Sequence, residues 1–210
     1  MPDAPEDVED PLFELVSDLR SVGAAAPAWL ARHAPDGELG PVWRACENPS
    51  TLLLVGELLY PRRLLTTAAC ACARTVIDLL PTTEERSLRA LEVAEAWTRG
   101  EVSDDLTFAS MTSACDARDA AQHARGPVRE ATDAVAWAAQ ASDVSSAYAN
   151  HAGHAALHAA AARVATGRTT RERSLLFTQA LRELSNIVRK YLSCPSLEAL
   201  TAAARASSHS

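Results

Sequence analysis

The chain has 210 residues, 20 of them Lys or Arg against 27 Asp or Glu, for a formal net charge of −7. This length supports one well-buried core, and the acidic balance argues against non-specific nucleic-acid binding, which needs positive charge facing phosphate. Ala supplies 43 residues, against 8 Gly, 3 Phe and 3 Tyr, so helix is favoured and the β-branched and aromatic strand formers are sparse.

Residues 1–10 read as a disordered acidic tail, "MPDAPEDVED". From Pro11 an amphipathic helix carries Leu12, Leu15, Val16 and Leu19 at i, i+3, i+4 and i+7 and stops near Gly23. Short helical pieces follow around "APAWLARHA" and "GPVWRACE", separated by Pro and Gly. "ENPS" opens a helix over 51–59, and Pro61 suits the first turn of the next, "RRLLTTAACACARTVIDLL", which reaches Pro81.

"TTEE" reads as a capping box, Thr82 with Glu85, for a helix that runs through Trp97 to Gly100. Another helix spans about 104–124 before Gly126–Pro127. Residues 127–166 form either one long helix or two, broken near Ser145 or Gly153. "TTRE" at 169–172 is a second capping box, leading a helix to about 192, and Pro195 starts a short last one.

No stretch alternates as a strand would. The fold class is therefore all-α, a multi-helix bundle or irregular helical stack of about eight helices with no sheet. The chain divides into the tail (1–10), an N-terminal helical accessory segment (11–60) and a main α-helical domain (61–206). Residues 1–60 hold 11 acidic and 3 basic residues, a net −8, so the body beyond them is nearly neutral; such an arm suits a basic partner.

Five Cys, no apolar leader at the start and no segment apolar enough to span a bilayer point to a cytoplasmic protein with free thiols. "NHAGHAALHAA" places His151, His154 and His158 within an arc of about 60° on an ideal helix. The i, i+4 pair His154 and His158 has chelating spacing, but "HAALH" lacks the Glu of the H-E-x-x-H motif. The arc sits roughly 100° from a stripe defined by Leu157 and Val164, which suits a partly solvated boundary, so no metal or cofactor is expected.

Cys70 and Cys72 are two apart and point away from each other on a helix, which makes Cys72 a small core residue. A nucleophilic Cys72 approached by His123 or the His arc has no local signature behind it. "RVATGRTTRERS" gathers Arg163, Arg168, Arg171 and Arg173 around one turn; a solvated turn accounts for them better than a phosphate site.

Three stretches are similar to the all-helical immunity-protein family of bacterial polymorphic toxin systems. They are "LLTTAACACARTVIDLL", "RSLRALEVAEAWTRGEVS" and "YANHAGHAALHAAAA" followed by "RERSLLFTQALREL", together covering about residues 62–192. The Trp-x-Arg-Gly-Glu turn, here Trp97, Arg99, Gly100 and Glu101, carries most of the likeness, with Cys72 in the first stretch. Its physics is structural: Trp97 buries a large surface, Gly100 takes the left-handed C′ position and Glu101 leads into the next helix.

The resemblance implies a non-enzymatic protein that binds another protein, a toxin, as its antidote. The alternatives are a metal- or cysteine-dependent enzyme built on the His151/His154/His158 face, or a self-associating helical scaffold.

Overall fold

The computed structural model describes residues 10–124, 126–143 and 150–207. Among these it has eleven α-helices and no strand: α1 (Pro11–Val22), α2 (Pro27–His33), α3 (Gly40–Ala45), α4 (Pro49–Gly56), α5 (Arg62–Arg74), α6 (Glu85–Thr98), α7 (Asp104–Ala120), α8 (Pro127–Gln140), α9 (His151–Val164), α10 (Thr170–Tyr191) and α11 (Leu197–Ser207). The all-α reading holds, with more helices than the eight expected. Residues 10–60 break into four short ones, each carrying Pro in its first turn. Proline starts a helix readily but cannot continue one, because it lacks the N–H and its ring clashes with the preceding turn.

The tail assigned to residues 1–10 lies outside the described residues except for Asp10, which caps α1 by accepting from Leu12 N at 3.1 Å. Its other oxygen accepts from Thr51 Oγ1 at 2.6 Å, tying α1 to α4. Leu12, Leu15, Val16 and Leu19 are all buried, as their spacing predicts, and Gly23 closes the helix at φ 70°.

Several boundaries differ from the expectation. Helix α5 ends at Arg74, not at Pro81, and a 3₁₀ turn follows at Ile77–Leu79. The Thr75 hydroxyl donates to the Cys72 carbonyl at 2.7 Å, and the β-branched run Thr75–Val76–Ile77 leaves the α-helix there. The Thr82–Glu85 capping box does not form: Glu84 is the cap residue, without a side-chain cap bond, and its carboxylate pairs with Arg86. Helix α7 ends at Ala120, followed by a 3₁₀ turn to His123. The Thr169–Glu172 capping box is present in full.

Residues 127–166 form two helices, α8 and α9. Ser145 lies outside the described residues, and Gly153 is not the break: it sits in the first turn of α9, behind Asn150 at φ 79°. A Cβ at Gly153 would collide with Asn150 Oδ1 and come within 2.6 Å of Ser50 Oγ. The glycine is there for want of space.

Helix α9 lies at the centre, packed by α8, α10, α5 and α4. Its buried face is made of Ala152, Ala155, Ala156, Ala159, Ala160 and Ala162, while Leu157 is 39% exposed and Val164 is half-buried. The apolar stripe expected through Leu157 and Val164 is thus displaced onto the alanines. Small side chains let the neighbouring backbones close in, and a Leu on that face would hold them apart. One core cluster runs from Leu12 through Leu52, Cys72, Val135 and Leu184 to Ala204, and a smaller one joins Ala90, Ala114, Ala136 and Ala139.

Two polar ties secure the periphery. The guanidinium of Arg189 on α10 donates to the carbonyls of Trp43, Arg44 and Cys46, the last turn of α3 and its cap, which no N–H of α3 can satisfy. Glu57, after α4, accepts from Asn150 N at the start of α9 and pairs with Arg20 of α1 at 3.3 Å. No described helix is long and apolar enough to cross a membrane.

Candidate functional site

The three histidines occupy one side of α9 and are all half-buried, at the boundary the sequence suggests. They do not act as one set. His151 Nδ1 donates to the Gln140 carbonyl at 3.2 Å, closing the C-terminal end of α8. His154 stacks on Trp137 of α8. His158 Nδ1 lies 2.8 Å from Glu130 Oε2 and 3.8 Å from Asp133 Oδ2, both on α8.

Glu130, Asp133 and His158 therefore form a compact cluster whose nearest donor atoms all lie within 4.8 Å of one another. The alanine seam makes this possible: with α8 and α9 in close contact, the short Asp133 side chain reaches His158 across it. Burial pushes the Asp133 carboxyl above its ordinary value and Glu130 adds to this, while His158 and Arg129 pull it down. Glu130 and Asp133 are absent from the sequence expectation. The signal was present in "REATDAVAW", where Glu130, Asp133 and Trp137 fall at i, i+3 and i+7 on one helical face.

His154 is held below its ordinary pKa, first by burial and then by His158 and His151. Chemically the seam offers an imidazole–carboxylate pair, a second buried carboxylate and an aromatic wall. Among the described residues no hydroxyl or thiol hydrogen-bonds His158, so no nucleophile is aligned with it.

Cys115 borders this seam, its sulfur accepting from Gln140 Nε2 at 3.0 Å. Cys70 and Cys72 are both buried in the core. Burial pushes the Cys72 thiol up to about 12 and that of Cys70 in the same direction. Neither is hydrogen-bonded to a histidine among the described residues, and His123 is exposed on its 3₁₀ turn.

The Trp97–Glu101 turn is a Schellman cap. Gly100 has φ 77°, Glu101 N donates to Ala96 O at 3.0 Å and Gly100 N to Trp97 O at 2.9 Å. Trp97 is 3% exposed, donates to Asp104 Oδ1 at 2.7 Å and lies under Arg63 at 5.3 Å. Glu101 sits at C″ and pairs with Arg99 at 2.8 Å; the cap residue of α7 is Ser103, two positions on.

Of the four arginines of the turn, Arg163 and Arg173 have local partners, while Arg168 and Arg171 are exposed. Arg163 pairs with Glu183 at 2.5 Å and Arg173 donates to Gly167 O at 2.9 Å. The Glu172 carboxylate accepts from Arg168 N and Thr169 N, occupying the helix end where a phosphate would bind.

A second candidate surface lies on the acidic N-terminal helices. Phe13 is 58% exposed and stands beside a cleft of about 500 Å³ between α1 and α2. Trp29 and Arg32 form one wall, and Asp10, Glu14 and Asp18, spaced i, i+4 and i+8, line the α1 side, with Glu14 3.8 Å from Arg32 and Asp18 accepting from Ala26 N at 2.9 Å.

Comparison with protein-family models, curated proteins and solved structures finds no match to this chain.

Proposed function

We propose that this chain is a non-enzymatic helical protein that binds another protein, a basic one, through the α1–α2 face, with neutralisation of a toxin as its purpose. The observation that carries the reading is the exposed Phe13 beside an acid-lined cleft. A large apolar side chain ringed by polar groups is the composition of a binding hot spot, and the acidic rim selects a partner of opposite charge. Residues 10–60 hold seven acidic and three basic residues, and three of those acids, Asp10, Glu14 and Asp18, line this cleft. The likeness of residues 62–192 to immunity proteins supports the antidote role.

The test is co-expression with the product of the adjacent gene in the native genome. Wild-type chain is expected to elute with it as a complex and to protect cells from it, whereas Phe13→Asp does neither. Absence of a complex with wild type, or equal binding by Phe13→Asp, overturns the reading.

A further inference from the structure

We propose that Glu130, Asp133 and His158 bind one divalent transition-metal ion, which joins α8 to α9. Three features of the cluster point to an ion. The donor atoms converge: His158 Nδ1 is 2.8 Å from Glu130 Oε2 and 3.8 Å from Asp133 Oδ2, and all three atoms fall within 4.8 Å. Ligands about 2.0–2.2 Å from a common ion stand roughly 3–3.6 Å apart, so small side-chain rotations suffice to close the set.

Asp133 is the second feature. Its residue is only 8% exposed, yet among the described residues its carboxylate makes no hydrogen bond of ordinary length. Its ion-pair partners, Arg129 Nε and His158 Nδ1, are both 3.8 Å away. With its side chain 11% exposed and both partners at that distance, the carboxylate is free to turn to a dication placed between it and Glu130.

The third feature is donor chemistry. One imidazole nitrogen with two carboxylate oxygens suits Zn²⁺, Co²⁺ or Mn²⁺, whereas Ca²⁺ and Mg²⁺ favour all-oxygen sets. Nδ1 binds the ion through its lone pair, so a proton it shares with Glu130 leaves, to solvent from a cationic ring or to Nε2 in a neutral one, and the Glu130 oxygen turns to the ion. Three protein donors leave at least one position for water.

The test uses the full, untagged, reduced chain after chelator treatment. Zn²⁺ titration by calorimetry is expected to give one ion per chain and a raised Tm. Co²⁺ is expected to give a ligand-field spectrum without thiolate-to-cobalt bands. Glu130→Gln and His158→Gln, both at half-buried positions, each weaken binding by at least about tenfold and abolish the Tm rise, with circular dichroism unchanged. Asp133→Asn is expected to do the same. No saturable binding, thiolate bands in the cobalt spectrum, or unchanged affinity in Glu130→Gln and His158→Gln overturns the proposal.

Discussion

Trp137 and His154 face each other across the α8–α9 seam, with ring centroids 4.8 Å apart and planes inclined by 29°. The indole shields one side of the imidazole, and burial holds His154 below its ordinary pKa, with His158 and His151 acting in the same direction. Below the unfolded value of about 6.5 the unfolded chain takes up a proton that the folded chain resists. The stability this group contributes is full above that value and is lost as pH falls through the window down to the folded pKa. An imidazole NMR titration is expected to place the His154 midpoint below that of a free histidine. Trp137→Ala moves it back up, and His154→Gln reduces the loss of stability on mild acidification. A midpoint at or above the ordinary value contradicts this account.

The Trp97 turn predicts a graded series. Trp97→Ala empties a buried site and is expected to cost about 3–5 kcal/mol. Trp97→Phe keeps most of the packing and leaves Asp104 without its donor, costing about 1–2 kcal/mol. Gly100→Ala forces a side chain into φ 77° with Arg63 Nη1 3.2 Å from its Cβ, at about 1–2 kcal/mol. Glu101→Gln removes only an exposed pair and leaves stability unchanged. Urea unfolding of the four variants measures the order.

Gly153→Ala sets helix propensity against space. Propensity alone favours the change by about 1 kcal/mol. The collision with Asn150 and the 2.6 Å approach to Ser50 oppose it, and overpacking of this kind costs about 1–3 kcal/mol. Net destabilisation is expected in thermal unfolding; a stabilised variant shows that the Asn150 side chain moves aside freely.

Thiol accessibility follows burial. Cys194 is exposed and Cys115 half-exposed, whereas Cys46, Cys70 and Cys72 are buried. Burial pushes Cys46 and Cys72 up to about 12, so neither carries thiolate near neutral pH. Alkylation followed by mass spectrometry is expected to modify Cys194 first and Cys115 next, with the other three reacting only in denaturant. Early labelling of Cys72 would revive a cysteine chemistry.

The proposed partner interaction has a salt signature. An acidic rim around Phe13 steers a basic protein, so the association rate is expected to fall as ionic strength rises, while Phe13→Asp acts mainly on the dissociation rate. Surface plasmon resonance at several salt concentrations separates the two. A rate independent of salt removes charge complementarity from the argument.

Local sequence was sufficient for much of this molecule. The i, i+3, i+4, i+7 spacing of Leu12, Leu15, Val16 and Leu19 determined α1 and its buried face, because helical periodicity is a property of the segment alone. The same holds for the Thr169–Glu172 capping box, the Gly100 stop and the boundary position of the three histidines, all set by residues within one or two turns. Where local signals compete, they mislead. Thr82 and Glu85 match a capping pattern, yet the helix starts at Glu85 itself. Leu157 looks more like core than any alanine beside it, yet it faces outward.

Tertiary structure decided the rest, because it depends on which helix lies against which. Only the close packing of α8, α10, α5 and α4 on α9 turns an alanine face into the core and leaves Leu157 at the surface. Only the contact of α8 with α9 separates His151, His154 and His158 into a cap, a stacked ring and a partner for Glu130 and Asp133. Sequence spacing fixes what one helix presents; the distance between side chains of two helices is set by the small residues that let their backbones meet.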